Sequence, residues 1–492
     1  MSYLDLLRLS APEGILVLTT LAVLAIGLTD RARNLCSFIG IIGLALSAAA
    51  IFFLPKNAML FSGMLVIDPL NSFFKIMCLG LAAFTVFLAQ LENPSSYAAL
   101  HRGEYVAMIL LATLGLLLLV GSEELLMIFI GLELTGLSLY ILTGFDRTDM
   151  RSAEAGLKYF LFGSTASAFT LFGLSLIYGM CGSTSLASIA DNLNDIPLAS
   201  QPLLAAGLIM TLVGLGFKVA AAPFHLWAPD VYQAAPISTA ALIASASKVA
   251  SFVVLGKVLI LGFGPVVGSA GWHALVAGWS PVLAIIAAAS ILLGNLVALV
   301  QTNVRRLLAY SAVGHAGYAL LGLVAATPEG FAATLFYTTI YAITLVGAFA
   351  VVGWVRRETG GDDIANFAGL ARREPIIGAY IAVFMLSLAG LPPLAGFFGK
   401  FYLFSAALDA GQNDGLLWLV VIALLGSFLS LYYYLMVLKA AFVDPSPSAP
   451  QPSTIPFRHE GERIVIGLLA AAVVFLGVLP DTVLARITMA LP

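Results

Sequence analysis

Four lysines lie inside stretches of this chain that are otherwise apolar: Lys158, Lys218, Lys248 and Lys400. Glu133, His225 and His315 lie in similar surroundings. A charge at the centre of a bilayer costs about 2.5–3.5 kcal/mol on the most lenient scales, so such groups mark functional sites by default. Burial disfavours the charged form of an amine, so buried lysines can trade protons near neutral pH. Imidazole accepts and donates over the same range. Together these types suit proton transfer along a file of titratable groups. Two like charges about 8 Å apart repel by roughly 2 kcal/mol at an effective dielectric near 20. Bringing one ammonium toward a second therefore drives the second to release its proton.

Glu133 sits in I-F-I-G-L-E-L-T-G-L, and Lys158 is its expected partner on the next helix. Glu154 and Lys158 share a helix face at i,i+4 spacing. If Lys158 leaves Glu133 and swings toward Lys218, a proton leaves Lys218 and passes through His225 and Lys248 to His315 and Lys400. The plainer alternatives are a static Glu133–Lys158 ion pair and two hydrogen-bonded core histidines. The position of both histidines between lysines favours the relay. Lys75 and Lys257 lie near helix ends and are expected to snorkel to the headgroups. Asp230 could line a cavity or merely end a helix.

The elements that must hold these groups follow from composition. Of 492 residues, 61% are hydrophobic and only 10% charged, with mean hydropathy +1.02. A soluble domain carries about 25% charged residues, so this is an all-α polytopic membrane protein. The net charge of −3 gives no reason to expect nucleic acid as a partner. Cys36, Cys78 and Cys181 are far apart, which supports neither a metal centre nor a disulfide framework. The first apolar run, 15–28, follows acidic Asp5 and Glu13 and reads as a spanning helix, not a cleavable signal.

About 20 apolar residues cross a bilayer, and about 14 transmembrane helices are predicted. They lie at 13–29, 34–54, 70–90, 105–121, 124–144, 153–180, 202–234, 237–261, 278–300, 304–326, 331–355, 375–408, 415–442 and 463–480. Fourteen lysines and arginines, from Arg31 and Arg33 to Arg458 and Arg463, fall on one side of this arrangement, and Arg8, Lys56 and Arg486 on the other. The positive-inside rule then puts both termini outside. The Pro/Ser-rich link over 444–463 is an expected inside loop.

Helices 7 (202–234) and 12 (375–408) are expected to be broken, at Pro223 and Pro229 in one and at Pro392 and Pro393 in the other, because proline removes a backbone donor and clashes with the preceding turn. Freed carbonyls at membrane depth belong beside a hydrated cavity. Trp227, Asp230 and Tyr232 follow Pro223 at the offsets at which Phe397, Lys400 and Tyr402 follow Pro393. The breaks lie five helices apart, an odd number, which predicts two inverted five-helix repeats, helices 4–8 and 9–13. The expected organisation is a three-helix segment (1–100), a first repeat (101–262), a second (263–443), and a loop with helix 14 (444–492).

Glutamate in helix 5, lysine in helix 6, lysine before P-F-H-L-W-x-P-D in helix 7, lysine in helix 8 and lysine after the helix-12 break form a pattern. It resembles the antiporter-like membrane subunits of NADH–quinone oxidoreductase (respiratory complex I) and of multi-subunit cation/proton antiporters. Within that family the chain looks like subunit N. Lys400 stands where subunit M typically has glutamate, the long lateral helix of subunit L is missing, and fourteen helices match bacterial forms. The resemblance implies proton translocation through Glu133, Lys158, Lys218, Lys248 and Lys400. It implies no cofactor in this chain: NADH, FMN, iron–sulfur clusters and quinone are expected on partner subunits. The implied partners are subunits M, K and J, the peripheral NADH-oxidising arm indirectly, and the lipid bilayer, in a bacterial inner membrane. A subunit of a Na+/H+ antiporter or membrane-bound hydrogenase is the competing reading. A lipid or polysaccharide flippase fits poorly, since it calls for a wide basic cleft.

Overall fold

The computed structural model describes residues 3–29, 33–92, 96–194, 201–410, 415–445 and 456–491. Of the described residues, 81% are helical. Among the described residues, twelve helices are long and apolar enough to cross a membrane, and two shorter apolar helices, Ala11–Gly27 and Pro375–Ala389, accompany them. In chain order they are α1 (Ala11–Gly27), α2 (Arg33–Ile51), α3 (Pro69–Leu91), α4 (Arg102–Val120), α5 (Leu125–Thr143) and α6 (Met150–Cys181). Helix α7 is split into α7a (Pro202–Val219) and α7b (Ala228–Ala234). Then come α8 (Ile237–Gly262), α9 (Trp279–Ala298), α10 (Val304–Val324) and α11 (Pro328–Thr359). The chain closes with α12a (Pro375–Ala389), α12b (Ala395–Asp409), α13 (Leu417–Phe442) and α14 (Pro456–Val478). Two short hairpins, 58–67 and 269–276, lie between helices.

Burial sorts these helices into a centre and a shell. The most apolar stretches of α8, α10 and α11 are each 94% buried, against 33% for α6 and 39% for α13 and α14. Lys248, His315 and a group of tyrosines therefore lie at the protein's axis. Helix α8 departs from α geometry at Ile243–Ser247, immediately before Lys248, where one π-helical stretch widens the backbone. Such bulges are frequent at functional positions. Small residues let helices approach closely where lipid offers no hydrophobic drive to associate. A Cβ on Gly27 of α1 would lie 2.8 Å from the Cα of Gly103 in α4.

The two breaks share one backbone plan. Helix α7a ends with Ala220 in the left-handed region (φ 58°), and α12a ends with Gly390 likewise (φ 84°). The next amide reaches back five residues in both, Ala221 to the Gly216 carbonyl (2.9 Å) and Leu391 to the Leu386 carbonyl (3.1 Å). Pro223 and Pro393 follow, each after a cis peptide bond.

Two expectations change. Lys75 and Lys257 do not snorkel: they are only 3% and 1% exposed. Lys75 Nζ meets Glu13 Oε1 at 2.6 Å. Lys257 Nζ donates to Asn71 Oδ1 at 2.5 Å and to the Val120 carbonyl at 3.0 Å, with Glu123 at 3.6 Å. Partners inside the protein outcompete headgroups because both ammoniums sit at the carbonyl end of α4, where the helix dipole favours cations. The link expected over 444–463 falls largely on 446–455, and Arg31 on 30–32, both outside the described residues.

Candidate functional site

Glu133 projects from α5 toward α6, where its carboxylate accepts the Ser167 hydroxyl. It lines a small cavity with Phe129, Phe217 and Lys218. Lys218, in the last turn of α7a, donates to the Leu132 carbonyl at 3.2 Å and lies 5.6 Å from the Tyr140 ring centre. A methyl group on Gly136 would come within 2.7 Å of the Lys218 nitrogen, so the glycine makes room for the ammonium.

Lys158 is not where sequence reasoning placed it. Its ammonium pairs with Glu154 (2.7 Å) and with Asp230 of α7b (2.8 Å), and not with Glu133. The reason is axial position. Ser167, which reaches Glu133, lies nine residues beyond Lys158 on α6, about 13 Å along the axis at 1.5 Å per residue. Helical side chains lean toward the N-terminus, which carries the Lys158 ammonium further away. Asp230 also accepts from Arg306 at the start of α10 (2.7 Å) and so joins three helices.

His225 occupies the gap between α7a and α7b, and its buried Nδ1 has no hydrogen-bond partner in the protein. Beyond it the groups draw together. Lys248 Nζ donates to the Ala312 carbonyl of α10 at 2.7 Å and faces the Tyr341 ring at 5.4 Å. The His315 ring packs 4.8 Å from the same Tyr341 ring and 5.7 Å from Tyr318. Its Nδ1 lies 2.6 Å from the Tyr337 hydroxyl and its Nε2 2.9 Å from that of Tyr434. Lys400 Nζ lies 5.2 Å from the Tyr318 ring. It donates to the Ala389 carbonyl (3.0 Å) and to Ser427 Oγ (2.9 Å). Tyr341 thus bridges Lys248 to His315, and Tyr318 bridges His315 to Lys400.

Lys218, Lys248 and Lys400 are 8%, 3% and 4% exposed. None of the three has a carboxylate within 4 Å among the described residues, whereas Lys75, Lys158 and Lys257 each do. A buried charge without a counter-charge is costly. Here backbone carbonyls, a hydroxyl and ring faces share that cost, since cations are drawn to aromatic faces. Such an ammonium can lose its proton without stranding a partner's negative charge.

Sequence reasoning missed the tyrosines and left Asp230 undecided. Tyr318 follows His315 by three residues in α10, and Tyr337 and Tyr341 are four apart in α11. Those spacings put each pair on one helix face. Tyr434 and Ser427, on α13, carried no such signal.

Residues 122–430 match the family described as NADH:quinone oxidoreductase/Mrp antiporter, TM. The chain is 45% identical to NADH-quinone oxidoreductase subunit N 2 of Acidobacterium capsulatum, across 98% of each chain. It belongs to the subunit N family of NADH-quinone oxidoreductases. A solved relative is a chain of respiratory complex I from Thermus thermophilus. It is 33% identical, with a TM-score of 0.78 over 96% of this chain and 98% of the other. A chain of the Mrp complex from a Dietzia species, at 20% identity, shares the fold (TM-score 0.82, 98% and 96% covered).

Proposed function

We propose that this subunit N family member translocates protons as a membrane subunit of NADH–quinone oxidoreductase. Electron transfer from NADH to quinone drives the movement, through Glu133, Lys158, Lys218, His225, Lys248, His315 and Lys400. NADH, FMN, iron–sulfur clusters and quinone reside on partner subunits, with subunits M, K and J among the membrane neighbours. The protein lies in a bacterial inner membrane with both termini on the outer side. It crosses fourteen times, counting α1 and the broken α12 beside the twelve long helices. Helices α4–α8 and α9–α13 are inverted repeats, which the common backbone plan of the two breaks supports.

One observation carries the reading: Lys218, Lys248 and Lys400 are buried in a row and held by neutral acceptors alone. Static structural lysines in this same protein are held by carboxylates, as Lys75 is by Glu13. Charge placed near Lys248 or Lys400 acts on its proton affinity with no carboxylate in contact, among the described residues, to absorb the change. Glu133 and Lys218 line one cavity, so Glu133 addresses Lys218 directly. Lys158 rests on Asp230, and its departure from there is the switching step. Tyrosine hydroxyls around His315 can donate and accept, which suits the span from Lys248 to Lys400. Much closer identity to subunit N relatives than to the Mrp complex favours a redox-driven pump over a stand-alone antiporter.

The test is Lys218→Ala in membranes containing the assembled complex. NADH-driven, quinone-linked proton translocation should fall while the complex stays intact. Normal pumping with alanine present removes Lys218 from the mechanism.

A further inference from the structure

Glu92, the residue that ends α3, belongs to none of the groups discussed so far. It lines a polar pocket of about 350 Å³ with Asp146, Asp149, Arg356 and Arg357, on the arginine-rich side of the protein. At the base of that pocket its Oε1 accepts a hydrogen bond from Ser238 Oγ at 2.8 Å. Ser238 Oγ lies 2.7 Å from the Tyr105 hydroxyl, which lies 2.5 Å from Thr239 Oγ1. Ser238, Thr239 and Tyr105 are fully buried. Three hydroxyls in series thus end on one carboxylate, and each can donate while it accepts.

We infer that Glu92 collects protons from the inside solution and passes them through Ser238, Tyr105 and Thr239 into the first turn of α8. This rests on the proton-translocating reading and adds a point of entry to it. The step balances. A proton binds the Glu92 carboxylate, each hydroxyl hands on one proton and takes another, and one proton emerges at Thr239. Lys248 lies nine residues further along α8, about 13 Å at 1.5 Å per residue. Ser245, fully buried, stands between them on the same helix.

The groups around Glu92 suit the task. Ser238 faces it from α8, Arg356 and Arg357 from the end of α11, and Arg102 from the start of α4. Asp146 and Asp149 share the pocket from the link before α6. Burial holds the Glu92 carboxyl above the usual carboxylate range, against the Ser238 hydrogen bonds and the two arginines, which pull it down. A carboxyl shifted upward keeps a proton closer to neutral pH than a solvated one does.

The experiment compares Glu92→Gln, Glu92→Asp and Tyr105→Phe with the parent in membranes carrying the assembled complex, reading NADH-driven proton uptake from pH 6 to pH 9. The amide of E92Q cannot take up a proton, so the variant is expected to slow uptake several-fold at the alkaline end. The loss should shrink toward acid pH. E92D, or azide added to E92Q as a small diffusible acid, should restore much of the rate. Y105F, which keeps the carboxylate but cuts the hydroxyl chain, should reproduce the alkaline loss without azide rescue, and it decides the matter if E92Q fails to assemble. Full uptake across the pH range in Y105F, or a pH-independent loss in E92Q that azide leaves untouched, overturns the inference. Lys218→Ala run in parallel separates the two claims. If K218A abolishes pumping while E92Q and Y105F leave it normal, only the entry point falls.

Discussion

Asp230→Asn tests the resting position of Lys158. The carboxylate lies 2.8 Å from Lys158 Nζ and 2.7 Å from Arg306 Nη1. At 2.8 Å a pair of unit charges is worth about 6 kcal/mol at an effective dielectric of 20 and about 1.5 kcal/mol in water. The Lys158 and Asp230 side chains are 40% and 31% exposed, and partly exposed pairs fall near the lower figure. Glu154 still holds Lys158 in the variant, and Gln233 and Gln301 still hold Arg306. The resting grip on Lys158 should therefore weaken by about 1.5–2 kcal/mol, a change of about ten- to thirtyfold in how long the ammonium stays put. The assay is NADH-driven proton uptake in inverted membrane vesicles beside NADH–quinone turnover, with assembly checked on native gels. Uptake should fall several-fold in a complex that assembles normally, and Asp230→Glu should recover most of it. Full-rate, fully coupled pumping by D230N would refute the claim that Asp230 sets the resting position of Lys158.

Charge removal at Glu133, as Glu133→Gln, should slow proton uptake and electron transfer together, because one stroke links them; unchanged rates for both would make Glu133 a static anchor to Ser167. Lys75→Ala leaves the Glu13 carboxylate buried without its cation, which costs about 3–5 kcal/mol. It should lower the Tm of the assembled complex while surviving complex pumps normally. An unchanged Tm would refute the reading that this ion pair holds α1 to α3.

Much of the site was legible because charge in hydrocarbon is rare and therefore conspicuous. Glu133, Lys218, Lys248, His315 and Lys400 stand out against their neighbours; the lysines and His315 are buried and Glu133 is half-buried. The breaks were legible because proline leaves no doubt about a missing donor. Partner choice was not legible. Lys158 lies near Glu133 in a diagram of adjacent helices, yet the helices align so that Ser167 comes level with Glu133. That offset is a property of packing, not of spacing within one helix. Lys75 and Lys257 misled for a related reason. A position near a helix end suggests access to headgroups, but α1, α3, α4 and α8 close around both ammoniums. The tyrosines escaped because a tyrosine in an apolar helix is unremarkable until its hydroxyl is seen to meet an imidazole.

The two helix interruptions follow the same turn, and the residue seven places beyond the second proline differs in sign from its counterpart beyond the first. Asp230 occupies it in one half, Lys400 in the other. Asp230 is engaged by two cations, Lys158 and Arg306, whereas Lys400 meets neutral acceptors, the Ala389 carbonyl and the Ser427 hydroxyl, so like turns carry unlike electrostatic duties. The two breaks are therefore not interchangeable, even though their backbones turn alike.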